Sequence, residues 1–182
     1  IFKGVQSIAP GGWVRLDTKG KIEKGGWWPE GKLAHKKVHS KQESVHRVNQ
    51  LVTKVIEEHL ISDVGVGAFL SGGIDSSIVT LVAGRALGKN LRTFTVGFPQ
   101  GSFDERSVAR QVAKQAGAEH NELVVSEDTC LTWVNEAVAR LDLPSVDAIN
   151  TYIVSKAVRD SGVKVALSGL GGDELFGGYD SF

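Results

Sequence analysis

Two short stretches of this sequence set glycines, hydroxyls and carboxylates at spacings that suit phosphate chemistry. The first is Ser71-Gly72-Gly73-Ile74-Asp75-Ser76-Ser77. Two glycines let the backbone come close to a ligand and take positive φ. A helix opening behind them offers free N–H groups and the positive end of its dipole. The hydroxyls of Ser71, Ser76 and Ser77 add short donors, and the combination predicts an anion nest. It is not a Walker A loop, because no lysine follows the glycines, and it is not G-x-G-x-x-G. Asp75 has two readings. A carboxylate facing phosphate needs a cation between them, and Mg²⁺ takes one or two protein carboxylates plus phosphate oxygens. Alternatively, Asp75 caps the helix it opens. The second stretch, Ser168-Gly169-Leu170-Gly171-Gly172-Asp173-Glu174, repeats the pattern of glycines followed by acids. Its plain alternative is a strand-to-helix turn with a capped helix.

Both stretches follow apolar runs that read as strands. From Ser40 onward, helical periodicity alternates with short apolar segments. Ser40 and Glu43 have capping-box spacing, and Val45, Val48, Val52, Val55, Ile56 and Leu60 follow at helical intervals. Strands are predicted over residues 64–70, 91–98, 121–125 and 163–167. Helices are predicted after Ser71, after a second capping box at Ser102 and Glu105, over 127–141, and over 152–161. This alternation predicts an α/β fold: a parallel sheet buried on both faces by helices. In such sheets ligands bind beyond the carboxyl ends of the strands, where strand order reverses. The loops after Leu70, Phe98, Val125 and Leu167 are therefore the ones to inspect. Residues 1–39 differ. Alternating stretches around Asp17-Thr18-Lys19-Gly20 predict a short β-hairpin, followed by an irregular linker.

Composition narrows the functional classes. The 182 residues hold 21 basic and 21 acidic side chains, a balance that argues against a long nucleic-acid footprint. No apolar run reaches membrane-span length. One cysteine, Cys130, excludes an internal disulfide and a multi-cysteine zinc site, and its place in a helical run reads as a small buried apolar residue. A reducing, cytoplasmic setting follows as the default. The five histidines (His35, His39, His46, His59 and His120) show no metal-ligand spacing and are assigned solvated or capping roles. Asp142 and Asp147 are secondary candidates for the cleft. The chain has no methionine, which predicts a piece of a longer protein.

The motifs also carry a resemblance. Ser71-Gly72-Gly73-Ile74-Asp75-Ser76 is similar to the S-G-G-x-D-S loop of the ATP pyrophosphatases. Residues 69–77 and 167–179, with Phe94-Thr95-Val96-Gly97-Phe98 and Phe103-Asp104-Glu105, resemble the glutamine-hydrolysing asparagine synthetase family. That resemblance implies a sheet of the adenine-nucleotide α-hydrolase type. It implies residues 1–39 as the end of a glutaminase domain and its linker, on Ala9-Pro10-Gly11-Gly12 and Trp27-Trp28. Residues 40–182 become the N-terminal part of an ATP-binding synthetase domain. The implied reaction activates the side-chain carboxylate of aspartate as an acyl-adenylate, releases pyrophosphate, and amidates it with ammonia from glutamine. Ser71, Gly72, Gly73, Asp75 and Ser76 would cradle pyrophosphate. Leu70, Val96, Ser168 and Gly169 would line the adenosine site, and Asp75 and Asp173 would hold Mg²⁺. Leu170 departs from the family, where an acidic residue is common. A related adenylating amidotransferase, a β-lactam-forming type included, and a non-catalytic nucleotide-binding module are the rival readings. The isolated chain is expected to fold, to self-associate and not to make asparagine.

Overall fold

The turn at residues 17–20 closes a hairpin because Asp17 binds its own backbone. Its carboxylate accepts from the N–H groups of Lys19 and Lys21, both at 2.8 Å, and Gly20 takes φ 82°. Strands β1 (Gly12–Leu16) and β2 (Ile22–Gly26) pair antiparallel, Gly12 opposite Gly26 and Leu16 opposite Ile22. The Trp13 indole lies over Gly25, where any side chain would collide with the ring. The computed structural model describes residues 3–27, 40–97, 106–142 and 145–179. It divides into units Ile1–Val48, which holds this hairpin, and Asn49–Phe182. The predicted Ser102–Glu105 capping box lies outside the described residues.

The second unit is built on four parallel strands in the order β5-β4-β3-β6. They are β3 (Val66–Phe69), β4 (Arg92–Gly97), β5 (Glu119–Val124) and β6 (Val165–Leu167). Side chains alternate across the sheet with period two. On one face Ala68 and Leu91 meet Ile56, Val82 and Ala83. These come from α1 (Lys41–His59) and α2 (Ile74–Leu87). On the same face Leu70 packs on Ala109 and Ala113 of α3 (Arg106–Ala116). On the other face Phe94 and Phe69 meet Val158 of α5 (Val146–Asp160). Helix α4 (Glu127–Arg140) lies against α5 and is tied to it at Glu136, which accepts from the Tyr152 hydroxyl at 3.0 Å and is ion-paired with Lys156. A short helix α6 (Gly172–Phe176) follows β6.

The α/β parallel sheet with helices on both faces agrees with the sequence expectation, with three differences. Only β3 and β4 are well buried; β5 and β6 are sheet edges with mostly half-buried residues, because each has a neighbouring strand on one side only. Helix α5 begins at Val146, six residues before the predicted start at Tyr152. Ser145 caps it, its Oγ accepting from the Ala148 N–H at 3.2 Å. His120 is not solvated: its side chain is only 12% exposed, with Nδ1 2.9 Å from the Thr93 hydroxyl. Its Nε2 has no hydrogen-bond partner among the described residues and stands 3.6 Å from Glu122. The expected capping by Ser40 is present, with the Glu43 N–H donating to its Oγ at 3.2 Å. So is a helix-end role for His59, whose Nδ1 lies 2.8 Å from the Val55 carbonyl. Cys130 is half-buried and free. Among the described residues no helix is long and apolar enough to cross a membrane.

Two outcomes follow. Gly84 lets α2 approach α3 so closely that a Cβ there would overlap the Ala116 carbonyl oxygen. Backbone cannot yield cheaply, so Gly84→Ala is expected to cost about 1–3 kcal/mol in urea denaturation, despite alanine's helix advantage of roughly 1 kcal/mol. Burial, first of all, holds the His120 pKa below its ordinary 6.5. Stability should therefore be full above about pH 6.5 and fall as pH drops toward the folded value, because the unfolded chain takes the proton first. NMR titration of the imidazole gives that value, and His120→Gln should remove this part of the slope.

Candidate active site

Strand order reverses between β3 and β6. The chain moves from β3 outward through β4 to β5, then returns to the opposite side of β3. Parallel pairing of Ala68 with Leu167 puts the two glycine-rich loops side by side at the carboxyl edge. Gly72 takes φ 91°, a conformation that disfavours any other residue. Gly73 then opens α2 with no side-chain cap, so Asp75 does not cap the helix. The serines stiffen the loop. Ser76 Oγ donates to the Gly73 carbonyl at 3.1 Å, accepts from the Ser71 N–H at 3.3 Å, and stands 3.0 Å from Ser71 Oγ. Ser71 Oγ accepts from the Gly73 N–H at 3.2 Å, and Ser77 Oγ donates to the Gly73 carbonyl at 2.7 Å. The Ser77 N–H also reaches the Gly73 carbonyl, at 3.1 Å. The amides of Ile74, Asp75 and Ser76 are thus the helix-start donors with no intrahelical acceptor.

The second loop is fitted against that helix start. A Cβ on Gly169 would lie 2.7 Å from the Ser76 amide nitrogen and 3.0 Å from the carbonyl carbon of Asp75. A Cβ on Gly172 would overlap the Asp75 carboxylate, and one on Gly178 would overlap the Asp173 carboxylate. Gly171 takes φ 97° and Gly177 φ 75°, so α6 is entered and left through left-handed glycines. The Tyr179 hydroxyl donates to Glu174 at 2.7 Å. That bond chiefly holds Glu174 below the usual carboxylate range. It is also the largest cause that pushes Tyr179 up to about 12, with desolvation and the charges of Glu174, Asp173 and Asp147 adding to it. Among the described residues neither Asp75 nor Asp173 has a side-chain hydrogen bond or ion pair, and no three His, Cys, Asp or Glu groups could hold a metal by themselves.

The structure therefore brings Ser71, Gly72, Gly73, Asp75, Ser76, Ser168, Gly169 and Asp173 to one edge. Ser168 Oγ accepts from the Leu170 N–H at 3.1 Å. Val96 stands half-buried near the end of neighbouring β4. Leu70 sits deeper, 1% exposed, its N–H donating to the Phe94 carbonyl at 2.9 Å and its own carbonyl accepting from Thr95 Oγ1. Leu170 is 70% exposed at the mouth. Asp147 acts electrostatically on Tyr179, whereas Asp142 is exposed at the end of α4. Sequence reasoning missed Arg106, whose side chain runs along Gly97 at the end of β4. No local signal marks it, since its approach to Gly97 comes from packing and not from spacing in the sequence.

The Asparagine synthase family model matches residues 47–182. The chain belongs to that family. The Bacillus subtilis (strain 168) asparagine synthetase (glutamine-hydrolyzing) 1 is 36% identical over 98% of this chain and 28% of its own length. The Penicillium rubens protein named Amidase chyE is 32% identical over 100% of this chain and 30% of its own. The rice asparagine synthetase (glutamine-hydrolyzing) 2 is 35% identical over 72% of this chain and 24% of its own. The chain thus spans less than a third of these family relatives. An NH3-dependent NAD synthetase from Campylobacter jejuni aligns with TM-score 0.49 and 17% identity over 74% of this chain and 60% of its own.

The packing of Gly169 yields a prediction. Because the added methyl would strike the backbone of α2, Gly169→Ala should force the loops apart and cost about 1–3 kcal/mol. Equilibrium denaturation measures this. The same substitution at exposed Gly65, where a Cβ meets nothing within 4 Å, should change stability by much less.

Proposed function

We propose that this chain carries the ATP-binding part of a ligase that adenylates the side-chain carboxylate of aspartate and amidates it. The observation behind this reading is the convergence of two glycine loops at the sheet's switch point, the Asp75 carboxylate lying against Gly172. Family membership supports the ATP-dependent amidation class. On this reading Ser71, Gly72, Gly73 and Ser76 cradle the pyrophosphate portion of ATP, with the unpaired amides at the start of α2 directed at it. Ser168, Gly169 and Val96 flank the adenosine, with Leu70 beneath.

Mg²⁺ fits the residues present. Two carboxylates without competing partners stand beside a phosphate cradle, and too few ligands surround them to bind a cation without substrate oxygens. Asp75 and Asp173 would hold it, and its charge would offset that of the departing pyrophosphate. The aspartate carboxylate attacks the α-phosphorus, the bond to the bridging oxygen breaks, and pyrophosphate leaves. Ammonia then attacks the acyl carbon and AMP departs. The amides of α2 favour pyrophosphate as charge builds on it. An upstream glutaminase would supply the ammonia, and the cytoplasm would be the setting.

Leu170 supports a second reading. An exposed leucine at the mouth can neither accept a hydrogen bond nor move a proton, and a relative bears the name amidase. A different carboxylic acid would then be the acceptor. Pyrophosphate release by the whole protein, measured with ATP and a panel of carboxylates, separates the two. Aspartate-dependent release is expected, with Asp75→Asn and Asp173→Asn each lowering it about 10²-fold or more. Release that ignores aspartate but follows another acid would favour the second reading. No release with any acid would reject both.

A further inference from the structure

Four glycines flank the acids of the second loop, and they do not have the same physical cause. Gly171 and Gly177 have φ of 97° and 75°, so backbone conformation explains them. Gly172 and Gly178 have no positive φ, and any residue could take their backbone shape. Gly172 is the first residue of α6, where alanine would favour the helix by up to roughly 1 kcal/mol. Conformation therefore gives no reason for glycine at either place. Space does. The three atoms nearest a Cβ on Gly172 all belong to the Asp75 side chain, and the three nearest a Cβ on Gly178 all belong to the Asp173 side chain.

We propose that Gly172 and Gly178 are positioning residues, their missing side chains forming the niches that hold the Asp75 and Asp173 carboxylates in place for a divalent cation. This rests on the metal and pyrophosphate reading above and deepens it. The Gly172 niche crosses between loops: the carboxylate of the first loop is seated against the backbone of the second. Neither acid has a hydrogen bond or ion pair among the described residues to fix its rotamer. Shape is then what limits where each carboxylate can sit. A methyl at either position would meet an aspartate side chain first, and no backbone atom is among its three nearest neighbours. The fold should survive the substitution and the cation site should not. Gly169 is the contrast, because there the obstacle is backbone.

The test titrates Mn²⁺·ATP, a paramagnetic substitute for the magnesium complex, onto the whole protein by electron paramagnetic resonance. Gly172→Ala and Gly178→Ala should weaken binding about ten- to a hundredfold, the range for groups that orient a metal ligand, with melting temperature unchanged or raised. Gly172→Ala should add no further loss in an Asp75→Asn background, nor Gly178→Ala in an Asp173→Asn background. A crystal structure of Gly172→Ala should show the Asp75 carboxylate moved. If both glycine variants bind like the wild type while both asparagine variants lose binding, the niches are irrelevant and the metal reading stands. If the glycine and asparagine losses multiply, the glycines act on the fold and not through the acids. If the asparagine variants bind as tightly as the wild type, the metal reading itself fails and this proposal goes with it.

Discussion

Parallel pairing between β3 and β6 is the constraint on which the carboxyl edge depends. Val66 lies beside Val165 and Ala68 beside Leu167. With strands roughly 4.8 Å apart, the loops leaving their ends must share a narrow space, and one of them starts a helix. Bulk is excluded from the interface between them. Gly169 against the Ser76 amide and Gly172 against the Asp75 carboxylate are the results of that crowding. The second loop can pack this close to the helix start because the residue facing it, Gly169, has no side chain. The switch in strand order creates the crevice, and glycine keeps it open.

The polar groups of the first loop are of two kinds. Ser71, Ser76 and Ser77 use their hydroxyls on one another and on the Gly73 carbonyl. They shape the loop before any ligand arrives, which lowers the ordering cost of binding. The amides behind them and the two aspartates lack such partners among the described residues. A rigid cradle with unspent donors and unneutralised acids suits a ligand that is itself a cation and an anion combined, as a metal–nucleotide complex is.

Much of this was legible in the sequence. The strand–glycine–helix order around Ser71 and Ser168 marked both loops, because apolar runs and glycine clusters are local signals. Parallel topology followed from alternation alone. The convergence of Asp75 with the second loop was predictable only as far as both followed strands of one sheet; its detailed seat at Gly172 depends on packing that no local pattern encodes. The start of α5 lies six residues ahead of the expected one because Ser145 sets it, its Oγ accepting from the Ala148 N–H, and the sequence reading did not weigh that cap. His120 looked like a surface residue since its burial comes from edge strand β5 meeting Thr93 of β4, a contact across the sheet. Burial of β5 and β6 was overestimated for a related reason: apolar content does not tell an edge strand from a central one.

The order of the strands also has a kinetic side. β3, β4 and β5 are adjacent both in space and in sequence, so their pairings close short loops. β6 reaches β3 only after the whole chain between Val66 and Val165 has been accommodated. Closing that span carries a larger entropy cost and rewards it late. Synthesis runs from the N-terminus, so a three-stranded intermediate can exist while the β6 segment is still emerging. In that intermediate one side of β3 is an unpaired edge, open to a strand from another chain. Binding competence and protection from aggregation would then arrive in the same event, the docking of a three-residue strand.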